Sequence, residues 1–364
     1  MKTMDYPALR AWRILWIVIA ILASFSVFGA STQAQITMQV FVNPHPQLAG
    51  GTIGFTFAGA KFVGSVAGDG SGILYSTDLN GGNVQIFAPS VTLPGNYAYD
   101  EHVVVASLGL GGFPLWDIYV ATGVGVLHIT NDGTQSNMFA NGLASPVRGM
   151  MFDGVGTFGH DLLVSTQGGQ IYRVNSSGLV TLVTSVGEDI EGMDIAPLGA
   201  GFGGFDGQVV TAAGNSGLLR AIDPSGKVTV LNANNPIFQP ERLAFVPLNI
   251  GASGSPLEGL YSANYPLNVV KASASQFLSF KGDAIVMTEL GDQRVSRVHW
   301  DGSSFQITAI GSSSGEAEDG FFLGPNTLNA AVCQDPRTHG RPVEHDNLWC
   351  APFCRKGGVM RPLI

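Results

Sequence analysis

The sequence is short of charge. Only 12% of its 364 residues are Asp, Glu, Lys or Arg, against 45% hydrophobic. That balance excludes a disordered chain, which needs low hydrophobicity and high charge. Basic residues are the scarcer kind: residues 35–330 hold 10 Lys and Arg against 23 Asp and Glu. Nucleic acids and anionic membranes are recognised by clustered Lys and Arg, so neither is expected as a partner, while a bound cation remains compatible. Cysteine is missing from residues 35–330 and occurs only at 333, 350 and 354. This stretch therefore has no disulfide framework, and it is long enough to bury a core without one. No helical period with caps occurs in it. Nor does a Gly-x-Ser-x-Gly elbow, a His-Glu-x-x-His pair or a phosphate-cradling loop. The 49 glycines follow no three-residue repeat, which excludes collagen and points to tight turns between short strands.

The N-terminus reads as an export signal. Lys2, Arg10 and Arg13 precede the apolar run Ile14–Ala30, and small residues follow up to Ala34. Residues 1–34 are expected to form a signal helix cleaved after Ala34. An uncleaved anchor is the alternative, and it is the only membrane contact expected. The protein is expected to be secreted, periplasmic or at the cell surface.

Between the termini a unit of about 45 residues repeats, a period that marks propellers and solenoids. The strand Gly72-Ile-Leu-Tyr-Ser-Thr77 recurs from Asp117, Asp161 and Gly207, in steps of 45, 44 and 46. Looser copies begin at Gly259 and Asp283, after steps of 52 and 24. A turn with Asn or Asp closing in Gly keeps the same phase, with glycines at 133, 178, 226 and 302. Such pairs are strong hairpin signals, because Gly adopts positive φ without steric cost. A third marker precedes each unit: Glu101-His-Val-Val-Val105, Arg148-Gly-Met-Met-Phe152, Glu191-Gly-Met-Asp-Ile195 and Glu241-Arg-Leu-Ala-Phe245. Each has apolar residues two and four positions after its charged residue, the period of a strand. The second strand of each unit is apolar on both faces, as a sheet stacked between two neighbours requires.

These patterns predict an all-β fold: a six-bladed β-propeller of four-stranded antiparallel blades. Its blades are expected to begin near residues 55, 98, 146, 189, 238 and 277. Residues 35–54 form a lead-in, 55–311 the propeller and 312–364 an irregular C-terminal tail. The alternative is a pair of β-sandwiches, which lacks such a repeat.

Residues 191–231 resemble a blade of the six-bladed propellers that include the NHL-repeat proteins. The similarity covers roughly residues 55–311. The wider group takes in the gluconolactonase/SMP-30 family, the virginiamycin B lyases and the soluble quinoprotein glucose/sorbosone dehydrogenases. Phe280-Lys-Gly-Asp283 through Arg297-Val298 resembles a blade of the last. The resemblance implies the fold but transfers no catalytic residue. A gluconolactonase-type metal set is matched only loosely, by Glu101 or Glu191 and by Asn264. The late-blade His of the lyases would have to be His299, which stands just before a turn. The quinoprotein His and Arg have only His102 and Arg148, without a surrounding motif.

Propellers bind ligands at the mouth of the central channel, where inner strands begin. Glu101, His102, Arg148, Glu191, Glu241 and Arg242 are expected there, from four consecutive blades, as a ligand-binding ring. Such a ring suits a small polar ligand, an extracellular partner or a divalent cation such as calcium. Alternatively, Glu and Arg of adjacent blades pair with each other. The acidic runs Glu188–Asp194 and Glu316–Asp319 match no calcium loop and are expected to be solvated. In the tail, Cys333, Cys350, Cys354, His339 and His345 fit no standard zinc finger. Two functions follow: a monomeric exported binding or scaffold module, or a hydrolase, lyase or quinoprotein-type oxidoreductase working in the same channel.

Overall fold

The computed structural model describes residues 35–45, 47–68, 71–94, 102–289, 291 and 293–330, with 355–356 and 359–360 in the C-terminal region. The export signal (1–34) and the cysteine-bearing tail lie outside these residues, apart from the strand pair Arg355–Lys356 and Val359–Met360.

The described chain folds as a six-bladed propeller. Strand β1 (Gln39–Val42) comes first. Blade 1 is β2 (Gly51–Phe57), β3 (Phe62–Gly68), β4 (Ser71–Thr77) and β5 (Gln85–Ile86). Blade 2 is β6 (Val104–Ala106), β7 (Ile118–Thr122), β8 (Gly125–Ile129) and β9 (Ser136–Asn141). Blade 3 is β10 (Val147–Phe152), β11 (Leu162–Thr166), β12 (Gln170–Val174) and β13 (Val180–Ser185). Blade 4 is β14 (Gly192–Ile195), β15 (Val209–Ala212), β16 (Leu219–Ile222) and β17 (Val228–Val230). The repeat markers of the sequence are the inner strands of blades 2 to 5 and the second strands of every blade but the first, where the copy from Gly72 is the third strand.

The last two blades depart from the simple meander. β18 (Pro240–Phe245) is the inner strand of blade 5, but the chain then leaves to form the hairpin β19 (Gly259–Tyr265) and β20 (Asn268–Ser273). It returns for β21 (Ala284–Thr288), β22 (Arg294–Trp300) and β23 (Phe305–Ser312), which complete blade 5. Finally β24 (Glu316–Leu323) pairs with β19 as the inner strand of blade 6, and β1 pairs with β20 as its outer strand. Blade 6 is thus built from three separate segments. The expected sixth start at 277 and the end of the propeller at 311 are corrected accordingly: 35–54 and 312–330 each contribute a strand.

Turn chemistry explains the hairpins. Asn175 Oδ1 accepts the amides of Ser177 and Leu179, and Asp223 Oδ1 those of Ser225 and Lys227. Gly178 and Gly226 follow with φ of 81° and 86°, which a side chain would strain. Between blades the contact is apolar on both faces of each second strand. All five residues of β7, β11 and β21 are buried. Blade 6 meets blade 1 through rings: Tyr261, stacked on Phe321 of its own blade at 5.5 Å, tilts against Phe62 of blade 1 at 5.2 Å.

Candidate functional site

An inner strand bonds its own blade on one side and faces the channel on the other. Its channel-side backbone groups are a free edge and need partners. Side chains of neighbouring blades supply them. Ala106 N donates to Thr56 Oγ1 at 3.2 Å, from blade 2 to blade 1. Phe245 N donates to Asp194 Oδ2 at 2.7 Å, from blade 5 to blade 4. Phe55 N donates to Asp319 Oδ2 at 3.1 Å, from blade 1 to blade 6. Ser65 Oγ donates to His102 O and Ser165 Oγ to Ile190 O, each at 2.7 Å. Adjacent inner strands run so close that a Cβ on Gly192 would lie 2.6 Å from Glu241 O.

The ladders of β2, β10 and β18 each carry a bulge near the strand start, between Thr52 and Phe55, Val147 and Gly149, and Pro240 and Arg242. A bulge frees one side chain from the alternation and re-aims it. In β10 that residue is Arg148. Its guanidinium leaves its own blade for blade 4, bonding Glu191 and lying 3.2 Å from Asp189 Oδ1. In β18 it is Glu241, only 3% exposed. Arg242, 5% exposed, crosses to blade 6, where Nε donates to Gly320 O at 2.8 Å and Nη2 lies 3.3 Å from Asp319 Oδ1.

Two of the expected ring residues stand differently. Glu101 lies outside the described residues. His102 is fully buried with φ of 112°, and its imidazole packs against Gly72 of β4, so it belongs to the blade interior and not to the mouth. Burial pushes its pKa down to about 4, so the ring is neutral at physiological pH. Asn264 is also fully buried, bonded to Ser262 and Ser313 within blade 6 and beside the adjoining loop.

The two acidic runs are structural rather than solvated, which corrects their reading from sequence. Glu188 pairs with Arg220 and Ser216, Asp189 and Glu191 hold Arg148, and Glu316–Asp319 opens β24. Asp194 and Asp319 were missed as site residues. Their one signal was an acid set inside an inner-strand pattern, Gly-Met-Asp-Ile and Ala-Glu-Asp-Gly-Phe-Phe. Burial raises the pKa of Asp319, opposed by Arg242 and by backbone amides. Burial likewise lifts Asp194 to about 6, opposed by the amides of Phe245 and Ile195 and by Arg242. Among the described residues no three His, Cys, Asp or Glu side chains group as metal ligands.

The Asp194 shift fixes a pH dependence. A carboxyl whose folded pKa of about 6 exceeds the ordinary value of 3.8 holds its proton more tightly in the folded state. The stability this gives is full below the lower value and is lost as pH rises through the upper one. Compared with Asp194→Asn, the native protein should lose on the order of 2 kcal/mol between pH 4 and pH 7.5. Urea unfolding of both proteins at the two pH values measures this. Parallel stabilities would rule out a titrating Asp194.

No protein-family model and no curated protein matches the sequence. Solved structures do match in fold. A gluconolactonase-like protein is 8% identical over 82% of this chain and 87% of its own, with a TM-score of 0.50. Streptogramin B lyase is 12% identical over 78% and 90%, with a TM-score of 0.47. A chain of the nidogen/laminin complex is 11% identical over 75% and 80%, with a TM-score of 0.41. At such identities the likeness is one of fold alone.

Proposed function

We propose that the protein is an exported binding or scaffold propeller whose mouth charges tie its blades together. The observation that supports this reading is the pairing of Arg148 and Arg242 with carboxylates of the following blade. A cation or polar substrate at the mouth would have to compete with these arginines for the same carboxylates. Export rests on the pattern of residues 1–34, and a mature N-terminus near Gln35 would support it.

Metal analysis of the purified protein, with thermal unfolding in calcium or chelator, tests the reading against a metal-dependent hydrolase or lyase. We expect no stoichiometric metal and no calcium shift in Tm. Glu191→Ala should cost about 2 kcal/mol, because it takes one paired carboxylate away from the largely buried Arg148. One tightly held metal per chain, lost in Glu191→Ala, would refute the module reading.

A further inference from the structure

A second polar site lies away from the mouth. On the face carrying the loops that follow the inner strands, blades 4 and 5 leave a cleft of about 120 Å³. Phe202, Lys281, Asp283, Arg297, His299 and Trp300 are among its lining residues.

Asp283 belongs to a device that recurs around the ring. The acid before a second strand bonds a basic residue on the third. Asp117 meets His128 at 2.7 Å, Asp161 meets Arg173 at 2.8 Å and Asp283 meets Arg297 at 2.6 Å. In blade 5 the same carboxylate also takes His299, whose Nδ1 lies 2.8 Å from Oδ1. The ladder sets Ala284 opposite Val298 and so His299 opposite Asp283. Blades 2 and 3 have Thr130 and Asn175 at that place. The blade-stapling pair is complete without His299, so this histidine is an addition the repeat does not require.

A carboxylate acceptor keeps a proton on Nδ1, and Nε2 then meets an anionic ligand as a donor when the ring carries its second proton. Asp283 is 6% exposed, whereas the His299 side chain is 42% exposed. Arg297 is held over the Phe280 ring at 4.8 Å, and Lys281 is exposed. Arg297 and His299 share the one lining carboxylate, and Lys281 adds a further cation to the lining, in a molecule poor in Lys and Arg. The neighbouring Asp206 lies behind the loop, its oxygens taken by the amides of Gly199, Gly201 and Phe202. Trp300 adds an aromatic wall, packed on Phe305, which in turn packs on the buried Phe202.

We propose that this cleft binds a carboxylate carried on a single six-membered ring, such as a uronic acid. Lys281 and the doubly protonated ring of His299, through Nε2–H, donate to the carboxylate, and the Trp300 indole covers the ligand's ring. A cleft of about 120 Å³ is of single-ring size. The channel charges take no part, so the outcome here leaves the reading of the channel untouched.

Calorimetric titration with glucuronate, glucose and sulfate separates the contributions. Glucuronate should bind and glucose, which lacks the carboxylate, should not. Sulfate, which lacks the ring, should bind at least tenfold more weakly than glucuronate. His299→Ala and Lys281→Ala should each weaken glucuronate tenfold or more, and His128→Ala in blade 2 should leave it unchanged. Lys281 is solvent-facing, so its variant tests the site even where His299→Ala folds poorly. Equal binding of glucose or sulfate, no glucuronate binding at about 20 mM, or full binding by the Lys281 variant would overturn the proposal.

Discussion

Arg242→Met should destabilise the protein by about 3 kcal/mol and should do so less at acid pH. The guanidinium is the cation against which Asp319 and Asp194 are buried. Breaking a buried pair from one side leaves a charge without compensation, which costs about 3–5 kcal/mol. The lower end applies here, because Arg242 Nη1 has no bonding partner among the described residues and the native pair is incompletely satisfied. Met keeps most of the stem volume, so the loss reports charge rather than a cavity. Without Arg242 the Asp319 pKa rises further, and protonation then relieves the buried charge. The deficit should therefore shrink as pH falls. Denaturant unfolding at neutral and acid pH measures both effects, and a deficit that stays constant with pH would mean that packing, not the ion pair, carries the loss. Adding Asp319→Asn to the Arg242→Met variant should recover part of the stability.

The channel also shows which interactions a sequence of this kind exposes to reading. Cross-blade pairs such as Arg148–Glu191 are legible because both residues hold the same phase of the repeat. His102 holds that phase too, yet its positive φ turns the ring into the blade, and no residue pattern announces a positive φ at a histidine. Asp194 stands in an inner-strand marker and both Asp194 and Asp319 in acidic runs, and neither pattern reveals that the carboxylate is buried. Only the free channel edge of an inner strand, which demands an acceptor, makes it a structural requirement.

The blades were legible for a different reason. Stacking on both faces imposes apolar residues on both faces of each second strand, and that constraint repeats with the fold. It failed at blade 6, whose strands come from three places in the chain. The step from Gly207 to Asp283, and equally from Gly226 to Gly302, is 76 residues. That is one blade plus the β19–β20 hairpin with its connections. A period search sees an interrupted rhythm there, although the blade itself is complete.

That arrangement makes ring closure the step most sensitive to the C-terminal part of the propeller. A chain ending at Ser312 keeps β1 to β23 and, of the propeller strands, loses β24 alone. We expect it not to fold cooperatively. β24 pairs with β19 over its whole length, from Glu316 opposite Tyr265 to Leu323 opposite Gly259. Without it, β19 keeps a partner on one side only, and the channel loses Asp319, which ties blade 6 to blade 1 and anchors Arg242. Loss of Phe321 takes the stacked partner from Tyr261 and a tilted one from Phe55, and the buried Leu323 and Ala317 leave cavities in two core clusters. Each lost ladder bond contributes about 1 kcal/mol and each buried apolar side chain about 2. Together these are of the same order as the whole stability of a domain, about 5–15 kcal/mol. Near-ultraviolet circular dichroism and thermal unfolding of the shortened chain read the outcome directly. Adding a peptide of residues 313–330 should restore a cooperative transition, because blade 6 already assembles from separate segments. A shortened chain that melts like the full one would mean that the ring does not close through β24.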